Sequence, residues 1–321
     1  MSKTAMRHIL AIMACLLPAV ADAQDYPARP IRLVVPIGPG GGTDILARHM
    51  AQKMTERLRA SVVVENRPGA GTLLGTEYVA KSAPDGYTLL VGGIFNMVMN
   101  KALVKDLPYE PTRDFTPLGY ISAYPFALVA RVDLPPDLAG FVAYAKERPG
   151  KLTYGSAGLG TLQHVWGTIL VRMLGLDMLH VPFKAAPAVH QEMLAGRIDL
   201  MMDNLSAVKH HVQAGRLKAY AVSSAARSPQ LEGVPTLKEA GIDFEGESWF
   251  ALFAPAATPA PIVSQLRNVV AEVLRDADFA TRVEKDGGRV LAVAPAEQTR
   301  FLQSEVERWS GLVTRYGVKV D

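Results

Sequence analysis

The chain has 321 residues, 49% of them hydrophobic, and its 34 Lys and Arg against 31 Asp and Glu leave a formal net charge of +3 at pH 7. With that near-balance, no basic run and no aromatic residues interleaved with cations, nothing in the chain points to a nucleic-acid partner. A single Cys excludes a disulfide framework, and the length suits about two domains.

Residues 1–23 read as a signal peptide. Lys3 and Arg7 form a short positive segment, Ile9 to Val20 an apolar one, and Ala21-Asp22-Ala23 supplies small residues for cleavage before Gln24. The apolar stretch is too short to span a bilayer, and no later run is long enough. A lipoprotein cut at Cys15 fits less well, because Met13 is awkward so close to it and only Ile9 to Ala14 would remain as an apolar core. Cleavage before Gln24 removes the only Cys and leaves an exported, periplasmic product without thiol chemistry.

The first strand is expected at 31–36. It runs into Pro36-Ile37-Gly38-Pro39-Gly40-Gly41-Gly42-Thr43-Asp44, and a helix follows from near Ile45. Leu46, Met50, Met54 and Leu58 repeat every four residues on one face of that helix, and Thr43 or Asp44 is the expected N-cap. A strand, a glycine-rich turn and a helix in that order present free main-chain N–H groups to an anion, reinforced by the helix dipole. The loop has no Lys or Arg, so backbone would do the holding. The dinucleotide fingerprint is broken: Thr43 stands at its third glycine, Pro39 interrupts it, and Glu65 is the nearest ribose partner. A P-loop would need Gly-Lys-Ser/Thr. A purely structural turn is the alternative.

Further strands are expected at 62–65, 87–92, 126–131, 152–155, 178–182, 198–202, 218–223 and 249–254, with helices between them. This alternation argues for parallel α/β sheets. Glu65 to Gly71 reads as a turn pinned by a Glu/Arg pair and two glycines, and Pro84-Asp85-Gly86 as a turn into a strand. At mid-chain a second glycine-rich turn, Tyr154-Gly155-Ser156-Ala157-Gly158-Leu159-Gly160-Thr161, again follows a strand and precedes a helix. Two such turns suit two lobes facing a shared cleft, because ligands of open α/β sheets bind at the carboxyl ends of the strands.

Other polar groups carry weaker signals of chemistry. A nucleophile elbow at Ser156 has Gly158 in place but Tyr154 where a glycine belongs, and His164 follows in a poor order. His180, His190, His210 and His211 lack metal-ligand spacing, so no metal and no cofactor is expected. Asp203-Asn204 ends an apolar strand and either faces the cleft or makes a turn. Trp249 and Phe250 read as core, with Ser248 reaching toward the cleft mouth. A Pro-rich lead-in, Pro255 to Pro261, opens one late helix; the last helix carries Phe301, Val306, Trp309 and Val313.

Together these words resemble the Bug family, periplasmic substrate-binding receptors of tripartite tricarboxylate transporters. The matching stretches are Tyr26-Pro27 with Pro30-Ile31, the first loop from Val34 to Asp44, and Val64 to Gly71. Further on come Ala83 to Leu89, Tyr154 to Gly158 with Gly160 and His164, and Val181 to Lys184. The C-terminal third adds Asp203-Asn204, Val234 to Thr236 with Glu239 to Gly241, and Ser248 to Phe250 with Pro255, Thr258 and Pro259. Ile37 departs from the pattern where an aromatic is common, Ala185 where glycine is usual, and Thr72 where the family often continues with glycine.

The resemblance implies an α/β, two-lobed, clamshell periplasmic binding fold (type II). Lobe one is expected to span 25–122 plus 226–321 and lobe two 123–225, hinged near 121–126 and 223–236. It also implies a small carboxylate held between the two loops by main-chain N–H groups and waters. Carried over by position, the binding residues are Ile37, Gly40, Gly41, Gly42, Thr43 and Asp44 on one side and Ser156, Ala157, Gly158 and Thr161 on the other. His164, Lys184, Asp203 and Asn204 stand beside them. The expected partners are the ligand and the membrane permease subunits, with the receptor acting as a monomer. The other readings are a carboxylate sensor working with a membrane kinase and a hydrolase using Ser156 and His164.

Overall fold

Two sheets share one long strand, and the direction in which the chain crosses between them decides where the loops point. The structure, a computed structural model, describes residues 26–320; the signal peptide expected at 1–23 lies outside them. The strands are β1 Ile31–Val35, β2 Val62–Asn66, β3 Thr88–Gly93, β4 Phe115–Arg131, β5 Leu152–Ser156, β6 Met178–Pro182, β7 Leu200–Asn204, β8 Leu217–Val222, β9 Glu247–Pro255 and β10 Arg289–Val290.

In lobe one β1 lies parallel between β2 and β3, β9 runs antiparallel to β3, and β4 runs antiparallel to β9. The short β10 pairs with Ser122 and Ala123 of β4. The rest of β4, Phe126 to Arg131, enters lobe two between β7 and β8, both antiparallel to it. There β5 is parallel to both β6 and β7. The sheets are therefore mixed rather than wholly parallel. The cause is the crossing: β4 leaves lobe one toward the hinge and enters lobe two moving away from it, and β9 returns in the opposite sense. It follows that the carboxyl ends of β1 and β3 in one lobe and of β5 and β7 in the other all aim at the crossover.

The strand stretches with clean apolar runs form where the sequence places them. The first half of β4 does not announce itself, because Pro117, Gly119 and Pro125 read as breakers. It pairs with β9 through register shifts at Pro117/Gly119 and at Tyr120/Ser122. The Pro117 carbonyl accepts hydrogen bonds of 2.9 and 3.1 Å from the Arg267 guanidinium.

Buried Ser223 ties the crossing segments together. Its N–H donates to Phe126 O and the Phe126 N–H donates to Ser223 Oγ, each at 2.9 Å, while the Gly246 N–H donates to Ser223 O at 2.9 Å. Beyond it, Leu231 packs with Ala127, Val129 and Leu205 of lobe two. Phe244 sits against Trp166 and Trp309. One core face of lobe one joins Leu33, Val35, Met50, Met54, Leu266 and Val270, so the stripe on the helix after the first loop is buried as its spacing demands. The C-terminal helix Gln298–Arg315 packs on both lobes. Its Glu305 accepts the indole N–H of Trp249 on β9 at 2.8 Å, and its Trp309 stacks on Trp166 of lobe two at 5.1 Å.

Candidate functional site

The first loop is shaped by a buried carboxylate. Gly41 caps the helix Gly42–Leu58 in extended conformation (φ −79°, ψ 167°) without any side-chain cap. Thr43 and Asp44, expected as caps, already lie in the first helical turn. Asp44 is 3% exposed, and its carboxylate accepts from Gly40 N–H at 3.0 Å, from Arg48 at 2.9 and 3.0 Å and from Asn66 Nδ2 at 2.8 Å. The Arg48 hydrogen bonds, helped by Gly40 and Asn66, outweigh burial and hold its pKa down at about 2. Asp44 thus points into the loop, where it fixes Gly40 in a left-handed conformation (φ +88°) that glycine tolerates. Its side chain is spent on bonds within the loop and to Arg48 and Asn66. What the loop offers outward is main chain. Among the described residues the N–H groups of Gly41, Gly42, Thr43 and Asp44 have no acceptor, and the first helical bond is Ile45 N–H to Gly41 O.

The second loop is built on imidazoles. Thr161 caps the helix Leu162–Met173, accepting from His164 N–H at 3.3 Å and donating to Gly158 O at 2.7 Å. His164 Nδ1 accepts from Gly160 N–H at 3.1 Å, so its proton sits on Nε2. Ser156 is fully buried; its Oγ lies 2.8 Å from His180 Nε2 and accepts from Gly158 N–H at 3.2 Å. The His164 and His180 rings stack at 4.3 Å. Ser156 and His164, expected to touch the ligand, turn their side chains to His180 and to the Gly160 N–H and support the loop. With the Gly158 and Gly160 N–H groups used internally, those of Ala157 and Leu159 remain without an acceptor. The pair imagined for a hydrolase does not form, since Ser156 meets His180 and His164 serves Gly160.

Asp203 is likewise buried, at 1% exposure. Its oxygens accept from His190 Nε2–H at 2.7 Å, from Gln163 Nε2 at 3.0 Å and from Asn204 N–H at 2.7 Å. Asn204 caps the helix Leu205–Gln213 by accepting from Ser206 N–H at 3.0 Å. Lys184 is exposed just beyond β6, and Ile37 is half-buried beneath Gly41.

A cavity of about 410 Å³ opens where the lobes meet. Gly42, Thr43 and Ile45 of the first loop and its helix form one wall, with Arg282 and Asp286 at the end of the helix Ala277–Lys285. Tyr124, Ser248 and Phe250 on the crossing strands make the floor, and Asn204 and Ser206 the opposite wall. Of the expected residues it gathers Gly42, Thr43 and Asn204. The second loop lies beside it, joined through the Gln163–Asp203 hydrogen bond, and is not part of its lining. Two larger depressions, about 610 Å³ around Arg32 and Tyr78 and about 540 Å³ around Ser224 and Arg289, touch neither loop. Sequence reading missed Tyr124, Ser206, Arg282 and Asp286. Tyr124 sits in the stretch masked by prolines, and the other three look like ordinary surface polar residues until the fold closes around them.

Residues 46–318 match the model of the tripartite tricarboxylate transporter family receptor. The chain belongs to that family. It is 32% identical to Protein BugT of Bordetella pertussis over 323 residues, covering 98% of this chain and 99% of that one. A Rhodopseudomonas palustris protein solved with adipate superposes with a TM-score of 0.78 at 34% identity, covering 92% of this chain and 99% of that one. MatC of the same organism, solved with bound malate, gives 0.74 at 35% identity, covering 90% and 100%. The family is one of solute receptors, and the α/β two-lobed architecture agrees with it. Among the described residues no helix is long and apolar enough to cross a membrane.

The stacked imidazoles give this receptor a pH signature. Burial, then the neighbouring His164, pushes His180 down to about 4, and burial and Arg172 lower His164. The unfolded chain takes up these protons near the ordinary histidine value of 6.5 while the folded one resists. Stability is therefore full above that value and falls as pH drops toward about 4. His180→Gln, which keeps a polar group near Ser156 but cannot titrate, should flatten the fall in urea midpoint between neutral pH and the mid-acid range. An unchanged slope would show that His180 is not its source.

Proposed function

We propose that this receptor binds a small organic carboxylate in the cleft between its lobes and delivers it, from the periplasm, to the membrane subunits of a tripartite tricarboxylate-type transporter. The observation that carries this is the row of four acceptor-free N–H groups, Gly41 to Asp44, two of whose residues line the cleft. A helix of 17 residues stands behind them, and its positive end favours a negative guest. Relatives solved with adipate and with malate support the same ligand class. In this reading β4 and the segments around Ser223 and Gly246 act as the hinge. Closure carries Asn204, Ser206 and the second loop onto a ligand already seated on lobe one. The closed state gains only what those added contacts contribute.

A thermal-shift screen tests it. The panel should hold mono-, di- and tricarboxylates, amino acids, aromatic acids and neutral sugars. A matching carboxylate at about 100 times its Kd should stabilise the fold by about 2.7 kcal/mol and raise Tm by several degrees. A panel in which no carboxylate shifts Tm, or only neutral compounds do, contradicts the proposal.

A further inference from the structure

We propose that Arg282 receives a second acidic group of the ligand, so that the cleft selects dicarboxylates over monocarboxylates of the same length. This rests on the reading above, in which the first-loop amides hold one carboxylate.

Among the described residues Arg282 is the single cationic side chain lining the cavity and Asp286 the single anionic one. The two are bonded to each other only loosely, Nε to Oδ2 at 3.3 Å, with side chains 53% and 47% exposed. An exposed pair one helical turn apart contributes little, so an incoming carboxylate can take Asp286's place on the guanidinium, where bidentate geometry is available. The same cavity is lined by Tyr124 and Phe250, whose rings meet edge to face at 5.9 Å. Aromatic surface beside two separate positive groups fits a hydrocarbon chain carrying two acids.

The spacing of the two positive groups is fixed within lobe one. Lys53, on the first-loop helix, reaches Asp276 at 3.2 Å and Asp278 at 2.9 Å, clamping the start of the helix that carries Arg282. His49 adds a ring contact with Phe279 at 5.2 Å, and Phe279 and Val283 bury the inner face of that helix. The amides and the guanidinium therefore ride on two helices locked together. Their separation does not depend on how far the hinge has closed, so ligand length is gauged on lobe one before lobe two arrives.

The test is calorimetric titration of the wild type, Arg282→Gln and Arg282→Lys with the aliphatic dicarboxylates from malonate to suberate. Each acid is matched by the monocarboxylate of equal chain length. The wild type should bind its best dicarboxylate about tenfold or more tighter than the matched monocarboxylate, as expected of a charged hydrogen bond. Arg282→Gln should erase that ratio by weakening the dicarboxylate alone, and Arg282→Lys should restore part of it. A wild type that binds a dicarboxylate while Arg282→Gln keeps the ratio overturns this inference and leaves the receptor reading intact. A wild type that prefers the monocarboxylate also overturns it. A wild type that binds none of these acids also overturns it, and the thermal-shift screen then decides the receptor reading separately.

Discussion

Gly41→Asp should make the protein slightly more stable and nearly unable to bind its ligand. Gly41 is the helix cap, in a backbone conformation open to any residue, and the nearest atom to a new Cβ would be Ile37 Cδ1 at 3.6 Å. An aspartate there would fold its carboxylate onto the N–H groups of the first turn, as capping residues do. Relief of those donors and of the dipole should raise stability by about 0.3–1 kcal/mol. The same donors are then lost to the ligand. Two charged hydrogen bonds at about 1.5 kcal/mol each or more correspond to roughly a hundredfold loss of affinity. Gly41→Val, bulky but neutral, should weaken binding without the gain in stability. Titration calorimetry and urea unfolding on the same samples check both signs, and a Gly41→Asp variant that binds normally would remove the first loop from the site.

Trp309→Ala should be the most damaging single change outside the cleft. The side chain is fully buried, stacks on Trp166 at 5.1 Å and meets Phe244 edge-on at 5.7 Å. Its indole N–H reaches Glu305 at 3.2 Å, the same carboxylate that accepts from Trp249. Truncating a buried Trp costs about 3–5 kcal/mol through lost burial and the cavity left behind. Here it also unfastens lobe two from the C-terminal helix while the helix stays bonded to β9. Urea unfolding should show the full loss, and Trp309→Phe should recover part of it. A loss under about 1 kcal/mol would mean that the stack does not hold the helix against lobe two.

Much of this architecture is legible in the sequence, because an apolar run bounded by turn residues forms a strand almost wherever it is placed. The buried stripe Leu46, Met50, Met54 and both strand–loop–helix turns follow from local pattern alone. What local pattern does not carry is direction. Ser156, His164 and Asp203 all stand at the cleft ends of their elements and read as ligand contacts. Each turns inward, because a partner lies there: His180, the Gly160 amide and His190, respectively. A polar side chain at a strand end goes to whichever acceptor or donor the tertiary fold supplies, and periodicity says nothing about that. Arg282 shows the converse. Its helix is polar and mostly exposed, and the Lys53 clamp, the buried Phe279 and Val283 and the turn at Gly287 bring it to the cleft. Gly287 matters there because it is left-handed (φ +89°), and a Cβ on it would come within 2.7 Å of Ser206 Cβ.

The central claim is that main-chain N–H groups at Gly41 to Asp44 grip a carboxylate. A crystal structure with the best ligand from the thermal screen tests it most directly. The account predicts one carboxylate with an oxygen about 2.7–3.1 Å from at least two of those nitrogens. A ligand seated elsewhere, or one whose acid groups are all held by side-chain cations with these four N–H groups turned to solvent, would contradict it.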